Sequence, residues 1–352
     1  MMALATASAL VEEEERSFDV LILLKGGLSD KLKVPEGVSI LANDLDSMLS
    51  GKSDRGKQFG VAHTRIFAPA ALAGQYSRLL YIDADVAAFG PVTPLFKLDM
   101  LGLPLAAVEG MMDETAPLHA IDLKSYKDNL GISDGRVFNS GVLLIDTAEW
   151  ASIDHPRTMA DYKAMREKAS APRTGLYGDQ DYLNFAMCGR WLGLSPRWNY
   201  QTIFLRYALD EAIDPVLVHY TGSRRPWDAK TFPYGERHVQ YYRERLRDIG
   251  YTSPLRPGTL RRVVTDSLRQ MIHGLGTPTL HRMFDEWKTM RQVLKDAVQR
   301  RIESGQYADV EQGISQLDLA SSTWGDMSIK DVRYYRGQVR IANSLNACGP
   351  GY

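Results

Sequence analysis

Cysteine is nearly absent from the 352 residues: Cys188 and Cys348 are the whole complement, and no C-x-x-C spacing exists. Neither a thiolate zinc site nor a disulfide framework is suggested by that count, and a reducing, cytoplasmic setting is the plain expectation. No run of 18 apolar residues occurs, so no membrane-spanning helix is expected. An excess of one charge is missing as well. The formal net charge is −1, which gives no indication of a nucleic-acid partner, and any anionic ligand must be held by local charges. Internal repeats and low-complexity stretches are also lacking. Residues 1–10 are small and apolar, but no basic residue precedes them and they run into Glu12, Glu13, Glu14 and Glu15. That pattern predicts a helix rather than a signal peptide.

What is present is an ordinary core-forming composition, 44% hydrophobic and 24% charged. Short apolar runs predict strands at 18–24 (FDVLILL), 38–41, 78–86 (RLLYIDADV), 105–108, 142–145 and 216–219. Helical stretches are expected at 59–72, 157–168 and 179–187, and a polar loop at 49–58. Strands alternating with helices at this rhythm predict an α/β fold with a mainly parallel sheet. Beyond residue 254 no strand is expected, which divides the chain into a catalytic part, 1–254, and a mainly helical part, 255–352.

The chemistry-bearing residues lie in the first part. Asp83 and Asp85 flank Ala84 at the end of an apolar strand, where residues i and i+2 share a face and two hard oxygens suit Mg²⁺ or Mn²⁺. Three D-x-D triplets occur in the chain, and the strand before it is what singles out this one. His219 also follows a strand and opens the stretch HYTGSRRPW, in which Gly222 allows close backbone approach and Arg224 and Arg225 offer planar forks for phosphate. A core histidine and a solvated basic turn account for the same letters. Asn139-Ser140-Gly141 and Asp179-Gln180-Asp181 carry amides and carboxylates fit to bond sugar hydroxyls, or equally to make turns and helix caps.

Taken in order, Arg65, YIDADV, VFNSGVLLID, YGDQDYLN and HYTGSRRPW resemble the motifs of glycosyltransferase family 8, over about residues 1–227. The resemblance implies a GT-A fold, a Rossmann-like sheet with helices on both faces. It also implies a UDP-hexose donor, a saccharide acceptor such as lipopolysaccharide or another surface glycan, and transfer with retention. Asp83, Asp85 and His219 would then hold Mn²⁺ (or Mg²⁺). Arg65, Ala84, Asn139, Gly222 and Arg225 would contact the donor, and Gln180, Asp179 and Asp181 would stand at the reacting face. Gln180 is an amide and a poor nucleophile, so same-face displacement is preferred over a carboxylate double displacement by Asp179 or Asp181. Arg225 replaces the lysine usual in relatives, a fork in place of a point charge. The relatives also begin with a strand and an acidic turn that this chain lacks, because residues 1–10 already read as the helix after it.

Glu109 would orient the acceptor or serve as a plain strand-end acid. Residues 255–302 carry ten Lys or Arg against four Asp or Glu, with Leu260, Val263, Leu268, Met271 and Ile272 at helical spacing. This is either a basic amphipathic helix for an anionic membrane surface or a helix packed on the catalytic part. The alternative functional readings are a metal-dependent nucleotidyltransferase and a catalytically silent glycan- or partner-binding relative.

Overall fold

The computed structural model describes the chain except residues 25, 43–63, 111–122, 133–134, 169–177, 222–225, 228–234, 252–276 and 321–352. The expected loop at 49–58 and the apolar residues from Leu260 to Ile272 therefore lie outside the described residues.

The chain opens on α1 (Met2–Val11), whose alanine-rich sequence buries Leu4, Ala5, Ala7 and Leu10. β1 (Val20–Leu24) and β2 (Val38–Ala42) pair in parallel. After α2 (Thr64–Leu72) come β3 (Arg78–Ile82), β4 (Val86–Ala88), β5 (Leu105–Glu109), α3 (Leu123–Leu130) and β6 (Phe138–Asp146). There follow α4 (Thr147–Ala151), α5 (His155–Lys168), α6 (Asp179–Ala186), β7 (Trp191–Leu194), β8 (Tyr200–Gln201), α7 (Thr202–Arg206), α8 (Asp210–Ile213) and β9 (Leu217–His219). The last described helices are α9 (Gly235–Asp248), α10 (Thr277–Glu303) and α11 (Ala308–Glu311).

A four-stranded sheet in the order β3-β6-β5-β7 forms the centre, with a three-stranded sheet β4-β9-β8 beside it. The expectation of a mainly parallel sheet is corrected here. β6 runs antiparallel to both β3 and β5, and β4 antiparallel to β9, while the parallel pairs are β1 with β2, β5 with β7 and β8 with β9. An apolar run reports burial on both faces but not strand direction, so the letters of β6 could not distinguish the two.

Alternation along the central strands splits the core into two layers. Leu105, Ala107, Leu143 and Ile145 face the helices α3, α5 and α6, through Tyr126, Met159, Tyr162, Tyr182 and Leu183. Ala106, Val108, Val142 and Leu144 point the other way and meet α1, β4, Leu95 and Trp198. A third layer joins α1 to the later elements through Leu4, Tyr200, Phe204, Tyr220, Tyr242, Leu294 and Val298. The helix α10 thus packs into the same core as α1 and the residue after β9.

Two side chains in these layers carry measurable consequences. Asp309, at 0% exposure, accepts from Ser195 N at 2.8 Å, Ser195 Oγ at 2.6 Å and Trp198 Nε1 at 2.9 Å, tying α11 to the end of β7. Asp309→Ala leaves both Ser195 donors buried without that acceptor, while Trp198 Nε1 keeps Ser315 Oγ at 3.0 Å, and should cost about 3 kcal/mol of unfolding free energy in urea titrations. His238 Nδ1 shares a hydrogen bond with the buried Tyr220 hydroxyl at 2.8 Å, and the ring packs edge-on against Phe89. Burial, aided by Arg237, lowers its pKa from 6.5 to about 4. The folded state therefore resists a proton that the unfolded chain takes up, so this stability is intact above pH 6.5 and drains as pH falls toward 4. Between pH 7.5 and pH 5 the loss amounts to about 2 kcal/mol, and His238→Gln should remove that increment from the pH dependence.

Candidate active site

The chain changes sheets at residues 83–85. β3 ends at Ile82 in its pairing with β6, and β4 begins at Val86 in its pairing with β9. Between them Asp83, Ala84 and Asp85 form a tight turn, closed by Val86 N donating to Asp83 O at 3.1 Å. Each acid is tied to a different sheet: Asp83 N donates to Gly141 O at 2.8 Å, and Tyr220 N donates to Asp85 O at 3.1 Å. The period of two along a strand was the expected reason for their convergence. The turn is the actual one, since the strand has already ended, and it leaves Ala84 exposed between them.

His219 sits opposite Val86 in the β4–β9 register and so arrives beside the turn. One oxygen from each carboxylate and one ring nitrogen of His219 all lie within 4.8 Å of one another. His219 Nδ1 is 3.1 Å from Asn139 Oδ1 and 3.0 Å from Asn199 Oδ1. Asn199 Nδ2 in turn donates to Asn139 Oδ1 at 2.9 Å. Two acceptors on Nδ1 place a proton there, and Nε2 faces Asp85 Oδ1, 3.3 Å away. In the neutral imidazole Nε2 is then the nitrogen that can ligate a cation, and fixing the far nitrogen in this way is how proteins orient a ligating imidazole. The ring packs directly against Gly141, where a Cβ would stand 2.1 Å from His219 Cε1.

Arg65, presented by α2, crosses to the opposite side of Asp83. Its Nη2 is 2.8 Å from Asp83 Oδ1, its Nη1 donates to Ser140 O at 2.8 Å, and its Nε is 3.0 Å from Asp179 Oδ2. The guanidinium stacks over Tyr81 at 4.8 Å, and the Tyr81 hydroxyl donates to Asp83 Oδ1 at 2.7 Å. Burial pushes the Asp83 carboxyl above the usual range, and Arg65, Tyr81 and His219 offset only part of that. Asp83 and Asp179 share the Arg65 guanidinium, while Asp85 faces His219. The mixed oxygen and imidazole donor set fits a divalent cation such as Mn²⁺ or Mg²⁺.

The helix α6 is pinned to β6 by Asn184, which accepts from Phe138 N at 2.8 Å and donates to Phe138 O at 3.0 Å. This brings Gln180 against Ser140, whose N–H donates to Gln180 Oε1 at 3.1 Å. Asp181 does not join them. It is fully buried, accepts from the Tyr126 hydroxyl at 2.7 Å and from Gly178 N at 3.1 Å, and serves to hold the start of α6. A helix turns its first and third residues to different sides, which separates Asp181 from Asp179. Gly222, Arg224 and Arg225 lie outside the described residues; Trp227 just beyond them packs edge-on against Tyr242, with ring centroids 4.9 Å apart. Asn199 was not foreseen from the sequence. It follows a single 3-10 turn at Pro196–Trp198 and carries no local mark of its role.

Residues 44–231 match the family model described as "Glycosyl transferase family 8". The chain belongs to glycosyl transferase family 8. Arg65, Asp83, Asp85, Asn139, Asp179, Gln180, Asn199 and His219 all fall inside the matched stretch. Among relatives, the family member here is 30% identical over 174 residues to lipopolysaccharide 1,2-glucosyltransferase of Escherichia coli K12, covering 46% of this chain and 48% of that one. It is 27% identical over 196 residues to general stress protein A of Bacillus subtilis, covering 51% of this chain and 64% of the relative. The chain thus spans 64% and 48% of the length of these relatives, less than two thirds of either. In structure, it aligns with an active-site mutant of LgtC at TM-score 0.50 and 19% identity, over 72% of this chain and 92% of LgtC. The bifunctional glycosyltransferase WbbM aligns at TM-score 0.50 and 15% identity, over 72% of this chain and 48% of WbbM. The family 8 chain accordingly has the GT-A fold.

Proposed function

We propose that this family 8 chain is a retaining hexosyltransferase that uses a UDP-sugar donor and a saccharide acceptor, with Mn²⁺ held by Asp83, Asp85 and His219. The carrying observation is the convergence of those three side chains within 4.8 Å beside Arg65, Asn139 and Gln180. When bound there, the cation would act as a Lewis acid that neutralises charge on the departing diphosphate. The protein's own part is orientation. Asn139 and Asn199 fix the His219 ring, and Arg65 holds Asp83 and Asp179 in place for a donor.

The surroundings of 179–181 favour same-face displacement over a covalent intermediate. Gln180 Oε1, the atom that would attack, accepts from Ser140; Asp179 is paired with Arg65; and Asp181 is buried against Tyr126. None of the three side chains, one amide and two carboxylates, stands ready as a nucleophile, so deprotonation of the acceptor hydroxyl falls to the leaving phosphate. The names of relatives such as lipopolysaccharide glucosyltransferase WaaO of Escherichia coli K12, 30% identical over 166 residues, support a surface glycan as the acceptor class. Among the described residues no helix is long and apolar enough to cross a membrane.

Calorimetric titration of UDP with and without Mn²⁺, repeated on Asp85→Ala, tests this reading. Mn²⁺-dependent binding that disappears in the variant is expected. UDP binding that ignores both the metal and the substitution would refute the metal-bridged donor site.

A further inference from the structure

A cleft of about 620 Å³ opens beside the site, bounded by Glu109, Arg136, Arg300, Arg301 and Ser304, with Glu303 also in its lining and bonded by Gln299 Nε2 at 2.8 Å. Its connection to the site is direct. Glu109 ends β5 opposite Phe138, the residue before Asn139, and its carbonyl accepts from Gln201 Nε2 at 3.4 Å. Gln201 is itself the register partner of His219.

Three guanidinium groups meet there, and their partners differ. Arg301 is engaged by Glu109, with Nε 2.5 Å from Oε2 and Nη2 2.9 Å from Oε1, and its Nη1 donates to Ala297 O at 3.0 Å. Arg136 lies over the Trp191 ring at 4.5 Å, and its Nη1 is buried with no hydrogen-bond partner. Arg300 is exposed at the rim. β7 accommodates Arg136 only because residue 193 is glycine: a Cβ there would come within 2.6 Å of Arg136 Nη1 and 2.3 Å of Gln306 O. A guanidinium stacked on an aromatic ring and lining the same cleft as a second, exposed one makes a receptor for a planar or tetrahedral oxyanion. A neutral sugar hydroxyl would gain little from it. None of these arginines takes part in holding the cation or in the Arg65 network.

We infer that this cleft receives an anionic group, phosphate or carboxylate, carried by the acceptor saccharide, so that Arg136 and Arg300 select a charged glycan over a neutral one. The inference rests on the transferase reading for the word acceptor, and on the cleft alone for the anion.

Ligand-observed NMR on the full chain tests it, with glucose 6-phosphate, glucuronate, glucose and inorganic phosphate as probes. Glucose 6-phosphate and glucuronate are expected to bind at least tenfold more tightly than glucose. Arg300→Glu and Arg136→Gln should each weaken them at least fivefold, with Mn²⁺-dependent UDP binding unchanged in both variants. Arg300 is exposed, so its variant decides the matter should Arg136→Gln fail to fold. Glucose binding as well as its 6-phosphate, or anion binding indifferent to Arg300→Glu, overturns the inference while leaving UDP binding intact. Inorganic phosphate binding as tightly as glucose 6-phosphate overturns the saccharide assignment. Absence of UDP binding in the wild type sinks the transferase reading, and with it the acceptor role of the cleft.

Discussion

His219→Ala is expected to lower kcat/KM for sugar transfer at least a thousandfold, about 4 kcal/mol of transition-state stabilisation. The substitution removes the one nitrogen donor from a set whose other members are carboxylate oxygens within 4.8 Å. It leaves Asp83 tied to Gly141 and Asp85 tied to Tyr220 through their backbones, so the turn itself survives. Arg65 also continues to hold Asp83. The loss should therefore appear with the fold retained and Mn²⁺-dependent UDP binding gone, alongside an unfolding midpoint lowered because the amide oxygens of Asn139 and Asn199 lose their bond to His219. A transfer rate within tenfold of the wild type would remove His219 from the ligand set.

Gly141→Ala should come close to the same loss without removing any polar atom. The added methyl would stand 2.1 Å from Cε1 and 2.5 Å from Nδ1 of His219, well inside van der Waals contact. The ring has little freedom to retreat, because it is 5% exposed and Nδ1 is bound by both Asn139 and Asn199. Gly141 itself cannot yield, since its carbonyl accepts from Asp83 N at 2.8 Å and it lies within the buried run of β6. Either the imidazole swings off its two amides or the turn carrying Asp83 shifts, and a displacement of about 1 Å at such a site costs on the order of a hundredfold. UDP titration in Mn²⁺ would register this as affinity lost at least a hundredfold. Binding unaltered by Gly141→Ala would mean that the His219 ring is free to move and that its orientation is unimportant.

Much of this site was legible in the letters because it is built from contiguous motifs whose strands are strongly apolar. RLLYI before Asp83 and the apolar run before His219 can hardly be anything but strand ends, and acids or imidazoles there reach one crevice. The family resemblance supplied the order in which the motifs meet, and the match over residues 44–231 bears it out. What could not be read is what depends on partners distant in sequence. Strand direction in β6 is decided by its neighbours, and the convergence of Asp83 with Asp85 is decided by a switch between sheets. Asp181 reads like a site acid in GDQDY, yet Tyr126, fifty-five residues earlier, draws it inward. Asn199 is silent for the same reason: its hydrogen bonds go to Asn139 and His219, and nothing in the adjoining Trp198 and Tyr200 announces them. The short strands β7 and β8 escaped notice because four and two residues carry too little periodicity to stand out.

The way β7 ends the central sheet bears on how the molecule keeps to itself. A terminal strand offers unpaired amides and carbonyls to any chain that can lie alongside it, and such edges are where sheets grow into aggregates. Among the described residues that strand is covered on one face, where the backbone of Gln306 passes so close above Gly193 that a methyl group would not fit between them, and the first amide beyond it is taken, since Ser195 N donates to Asp309. The segment after α10 therefore shields one face of the edge strand and ties down its end. A version of the chain ending before Gln306 would keep every residue of the candidate active site and still be prone to stack with its own copies.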